Sequence, residues 1–246
     1  MTPESPTESA PMSEVSRITG AFLDPKKAFA DIAARPRWYV PIILMVAMAL
    51  AFTYLYTTHV GWEHYMRQTL ENNQRMQQMD AQQRENIIQQ QTKYAPIFGY
   101  VFSAVGIPVS ALVMAGVVLL MAKMMGAASL TYRQMFAITS YAMLPGLISG
   151  ILAIVVMFLK DPEQFNLQNP IAFNLGAFLE PPPGTGKALY SLATSIDLFS
   201  FWSILLLAVG ITVAVRKFPF SKALMAVVLP WALWVVVKAG WTGKFG

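Results

Sequence analysis

Apolar residues in this chain do not settle on one face of a short helix or alternate along a strand. They come in five long runs, at about 39–58, 97–122, 135–159, 197–215 and 218–237. Each reaches or approaches the ~20 residues a helix needs to cross a hydrocarbon core. A soluble domain cannot hide so much unpatterned apolar surface. The pattern predicts an all-α, polytopic integral membrane protein with five transmembrane helices.

Ahead of the first run the pattern changes to helical spacing. Asp24 is a good N-cap and Pro25 suits the first helical position, where no amide donor is needed. A short amphipathic helix is expected to about Ala34, with Ala28, Phe29, Ile32 and Ala33 on one face and Pro36 as its stop. Two compatible readings stand. The helix lies on the cytoplasmic leaflet, with Lys26, Lys27, Phe29, Arg35, Arg37 and Trp38 as the lipid-surface candidates, or it packs against the bundle. The domain plan is then a disordered tail at 1–13, a cytoplasmic interfacial segment at 14–37 and a membrane domain at 38–240.

Between the first two runs, the Gln-rich stretch 60–95 predicts an external helical loop. Asp80 followed by Gln83 resembles a cap and its partner, so two helices are expected to meet there. It either pairs with another copy or a partner, or is a solvated extension of the spans. The second long loop, 160–194, carries prolines at its edges and Phe165, Phe173 and Phe178 within. It either dips into the outer interface or covers the external ends of the spans.

Composition and charge sharpen this picture. Apolar residues make up 55% of the chain and charged ones 13%, outside the range of a soluble domain. There is no cysteine, which excludes a disulfide framework and thiolate metal sites. The first residues are polar and proline-rich, so no cleavable signal peptide is expected. Lysine and arginine crowd the N-terminal segment and the two short loops, at Lys123, Arg133, Arg216, Lys217 and Lys222. The positive-inside rule then predicts a multi-pass topology with the N-terminus cytoplasmic and the C-terminus external.

Two strings imitate chemistry and fail. PPPGTGKA resembles a phosphate loop, but position 181 is Pro where glycine is needed, and Ala188 stands where a magnesium-binding hydroxyl belongs. Gly184 and Gly186 read as a turn. His59 and His64 lie five apart, which points them away from each other on a helix, so no metal site is expected. No cofactor, nucleotide or nucleic acid is implied, and no nucleophile is paired with a base.

The polar and small residues inside the runs remain. Asp197 and Tyr141 are the intramembrane polar candidates, for a transport path or, for Asp197, a helix cap formed with Thr194. Ala142, Gly146 and Gly150 recur every fourth residue and form a ridge for close helix packing, inside the bundle or between protomers. Pro108, Pro145 and Pro230 interrupt runs and predict kinks.

FLDPKKAFADI with its Pro-Trp entry to the first run, TYRQMFAITSYAMLP, NLGAFL, and IDLFSFW with RKFPFSKA together resemble bacterial members of the Yip family, the Ypt/Rab-interacting membrane proteins. The resemblance implies five spans and a cytoplasmic N-terminus. In eukaryotes it implies Rab GTPases, membrane shaping and vesicle traffic, but a Rab-binding role does not carry over to a bacterial member. The expectation is a non-enzymatic protein that organises membrane through anionic lipid headgroups, a protein partner the sequence does not identify, and assembly as a homo-oligomer. The rival is a small-solute or ion transporter or channel, which an odd number of spans without an inverted repeat disfavours.

Overall fold

The computed structural model describes residues 10–71, 78–180, 182 and 185–245. Most of the expected tail, residues 1–9, and Gly184 of the false phosphate loop lie outside the described residues.

The N-terminal segment forms two helices rather than one. Ser13 caps α1 (Glu14–Leu23), its Oγ accepting the Ser16 amide at 3.1 Å. Asp24 ends α1 and caps α2 (Pro25–Ala34), accepting the Lys27 amide at 3.3 Å. α3 (Tyr39–His59) matches the first apolar run. Past it, α4 (Glu63–Glu71) and α5 (Ala81–Val101) form a hairpin, and Asp80 caps α5 by accepting the Gln83 amide at 2.8 Å. A π turn at Phe102–Gly106 joins α5 to α6 (Ile107–Met124). The polar residues before 97 are therefore the first turns of one 44-residue helix, Ala81–Met124.

The third run is broken. α7 (Tyr132–Ala142) ends at a turn through Met143 and Leu144, and Pro145 opens α8 (Pro145–Leu159). Proline has no amide to continue the ladder and suits a helix start, so the interruption is a two-residue turn ahead of Pro145 within one 28-residue span, Tyr132–Leu159. Pro108 is the second residue of α6, just past the π turn, and Pro230 sits inside α11 without ending it. The remaining helices are α9 (Lys187–Ser195), α10 (Leu198–Ala214) and α11 (Phe220–Phe245). α9 was not foreseen in the second long loop. It packs on α11, and Lys238 Nζ donates to Ser195 Oγ at 3.0 Å.

Among the described residues, four helices are long and apolar enough to cross a membrane: α3, α5 with α6, α7 with α8, and α11. The fourth apolar run yields only the 17 residues of α10. At the helical rise this is about 25 Å, at the short end of what crosses a ~30 Å core, so where five spans are expected the described residues hold four long ones and a shorter fifth apolar helix. The shortfall has local causes. Asp197 caps one end, and at the other the chain leaves helix at Val215 before Lys217 takes a left-handed turn (φ 61°).

The core centres on α7, where every residue from Met135 to Ala142 is buried among α2, α6 and α10. Gly210 on α10 permits the closest approach, since a Cβ there would collide with Ile138 of α7 and touch Phe29 of α2. At the opposite end of the bundle, Phe165 of the second long loop is buried with Tyr56 and Met157, so this part covers the helix ends. Phe178, in contrast, is largely exposed.

Candidate functional site

The most unusual feature is a buried ion network that seats the N-terminal hairpin on the bundle. Its centre is Arg17, one turn into α1 on the same side as the buried Ala21, and 1% exposed. Arg17 Nε donates to Asp31 Oδ2 at 2.7 Å, and Nη1 to Glu14 Oε1 at 3.3 Å. Arg35 donates to the other oxygen of Asp31 at 2.8 Å, and Arg37 lies 3.6 Å from Glu14. The Tyr141 hydroxyl of α7 donates to Glu14 across the interface. Burial alone would favour the neutral form of Arg17, but the hydrogen bond and charge of Asp31 outweigh it. The guanidinium therefore sits above its ordinary pKa and stays charged.

Apolar packing surrounds this network. Ala28, Phe29 and Ile32 are fully buried in the main core, and Phe22 of α1 meets Trp202 of α10 edge to face at 5.4 Å. Gln134 Nε2 donates to the Ala33 carbonyl at 3.1 Å, tying the end of α2 to the start of α7. Trp38 rests on Phe136 at 5.1 Å between ring centres.

The lipid-surface candidates thus divide. Phe29 is interior, a correction to its expected place in the leaflet, because α7 and α10 cover that face of α2. Arg35 is held by Asp31 and Arg37 pairs with Glu14, while Lys26 and Lys27 remain exposed. Trp38 is partly exposed. The short loops at this end of the bundle add exposed Lys123, Arg133, Arg216, Lys217 and Lys222, with no acid within 123–133 or 215–222.

The transport candidates do not share a path. Asp197 itself is the N-cap of α10, accepting the Phe199 and Ser200 amides at 2.9 Å each, whereas Thr194 belongs to α9 and bonds the Ser191 carbonyl. Tyr141 serves the network at the other end of α10's neighbours. Among the described residues no group of three His, Asp or Glu side chains could hold a metal ion. His59 instead packs on Phe158 at 4.6 Å.

The small-residue ridge also divides. Ala142 is fully buried, Gly150 abuts Met48 of α3, and Gly146 is exposed beside Met45. Two of its three members are therefore satisfied within one chain.

The residues missed from sequence are Arg17, Glu14 and Asp31. A signal existed: Arg17 and Asp31 each stand beside the apolar face of a short helix, where an unpaired charge would be costly.

A family model described as the Yip1 domain matches residues 19–241, nearly the whole chain. The chain belongs to the Yip1-domain family. The match begins inside α1, so it takes in most of the docked hairpin along with the apolar helices. No curated protein and no solved structure matches the chain. It is an all-α, multi-pass membrane protein of the Yip type.

Proposed function

We propose that this Yip-type protein is a non-enzymatic organiser of the cytoplasmic (inner) membrane, acting through anionic lipid headgroups and a protein partner at its basic end. The observation that carries the reading is the acid-free set of exposed cations in the two short loops, beside the docked hairpin. Such a cluster attracts anionic lipid at about 1 kcal/mol per charge near the surface. The positive-inside rule places this end, with the N-terminus, in the cytoplasm. α10 leads from the opposite end back to this one, and α11 returns, which supports an external C-terminus. Assembly into a homo-oligomer belongs to the same proposal, through lipid-facing helices rather than through Ala142 or Gly150.

The experiment is native mass spectrometry of protein released from nanodiscs containing equal anionic and zwitterionic lipid. The wild type is expected to retain anionic lipid, and Arg216→Gln/Lys217→Gln/Lys222→Gln to lose most of it. Equal retention by both proteins would sink the reading. Reporters on both termini test the orientation, and an external N-terminus would reverse it.

A further inference from the structure

A cleft of about 240 Å³ opens between α3, the π turn and the start of α8. Its mouth is at the exposed Gly146, and its walls include Met45, Met48 and Phe52. At its back lie two hydroxyls more than nine-tenths buried, Thr53 and Ser103, whose oxygens are 2.8 Å apart. Ser103 belongs to the π turn, an irregularity that recurs at functional sites in helices.

The hydroxyl geometry defines what this cleft offers. Ser103 Oγ also lies 3.4 Å from the Ala49 carbonyl, which can only accept. With Ser103 donating there, Thr53 donates to Ser103, and both hydroxyl protons are used. Each hydroxyl oxygen carries two acceptor sites, so lone pairs remain on both oxygens. The cleft therefore presents acceptors without donors. No ionisable side chain lines it, so a charged ligand would be stranded in apolar surroundings at high cost. The volume exceeds the ~150 Å³ cavity that admits benzene, so it takes a larger apolar body.

We propose that the Thr53–Ser103 cleft is a binding site for a neutral, lipid-soluble alcohol, entering from the bilayer past Gly146 and donating its hydroxyl to this pair. The site is independent of the basic end and of any role in lipid headgroup binding. Glycine at 146 is what leaves the mouth open: a methyl there would lie 3.8 Å from the Met45 terminal carbon, an ordinary contact, whereas a larger side chain would fill the space.

The probe is octanol bearing a diazirine, photolysed with the full-length protein in nanodiscs and mapped by peptide mass spectrometry. Labelling is expected on the segments containing Met45 to Thr53 and Ser103. Gly146→Leu should abolish it, and Gly146→Ala should retain it. Ser103→Ala should lower it about fivefold, the worth of one ordinary hydrogen bond, toward the level given by diazirine-bearing octane. Each variant is compared at matched unfolding temperature, and the two that change least in volume, Gly146→Ala and Ser103→Ala, keep the test decisive if Gly146→Leu misfolds. Equal labelling by octane and octanol would overturn the proposal in favour of a slot for acyl chains. Labelling that survives Gly146→Leu would also overturn it. So would a loss of oligomer mass in that variant, which would assign the cleft to a second copy of the chain.

Discussion

The two helical hairpins, α1–α2 and α4–α5, are built on the same ionic plan and differ in where they rest. In α1–α2, Arg17 bridges Glu14, one turn earlier on its own helix, and Asp31 on the second helix. In α4–α5, Arg67 bridges Glu63, one turn earlier, and Glu85 on the second helix, at 2.8 and 3.0 Å. Arg17 is 1% exposed and Asp31 9%, while Arg67 and Glu85 are 38% and 36% exposed. Phe29 and Ile32 lock the first hairpin into the main core, whereas the second contributes little to any core beyond Ile88 and Ala95. Identical pairing therefore carries different energies. In water the attraction is screened and offset by side-chain entropy. In the interior, each charge depends on its partners because water cannot replace them.

The largest effect expected from this contrast is at Arg17. Arg17→Ala should destabilise the protein by about 3 kcal/mol, because it removes the one fully buried partner and leaves Asp31 to Arg35 and Glu14 to Arg37 and Tyr141. Unfolding in detergent, followed by helicity, measures it. The pair replacement Arg17→Met/Asp31→Leu should cost less than Arg17→Met alone, since no uncompensated charge is left between them. If the single and pair replacements cost the same, the network is not buried as a unit.

Next in size is Gly210→Ala. Its methyl would drive into Ile138 and toward Phe29, with a cost of about 1–3 kcal/mol for overpacking. Protease cleavage between α1 and α2 should rise in step, because the hairpin sits on this contact.

Smaller still is loss of the cap on the second hairpin. Asp80→Ala should cost about 1 kcal/mol, confined to the first turns of α5 and visible as faster amide exchange there. Loss of global stability would show the second hairpin to be better anchored than its exposure implies.

The smallest effect is a pH dependence. Hydrogen bonds from Arg67 and Gln89 hold the Glu85 carboxyl below its ordinary pKa. Because the folded value lies below that of the open hairpin, the stabilisation is complete above the ordinary carboxylate range and fades as pH falls through the depressed value. Amide exchange in α4 should rise over that acid window and with added salt. Arg67→Ala should remove both dependences while leaving the unfolding temperature nearly unchanged.

Much of this was legible in the residues because it is local. Asp24, Asp80 and Asp197 cap helices through amides two or three positions away, so their meaning does not depend on the rest of the fold. Asp197 is instructive: the cap was expected through Thr194, but the chain ends α9 at Ser195 and the carboxylate does the capping itself. Pro145 was readable as an interruption, although the two-residue turn ahead of it was not, because where the ladder lets go depends on what satisfies the freed groups. The ridge of Ala142, Gly146 and Gly150 was readable as a packing surface, but spacing alone could not say that α3 takes one part and leaves Gly146 at a cleft.

Sequence by itself determined that lipid is the solvent of this protein, because long runs with almost no charge leave no other way to bury their surface. It also determined where helices start, because capping spans three or four residues. Tertiary structure alone decided that the first hairpin is interior and the second is not. Tyr141 lies 127 residues from Glu14, and Gln134 lies 101 from Ala33. No local pattern encodes such partners, yet they set the local dielectric and hence what the charge on Arg17 is worth.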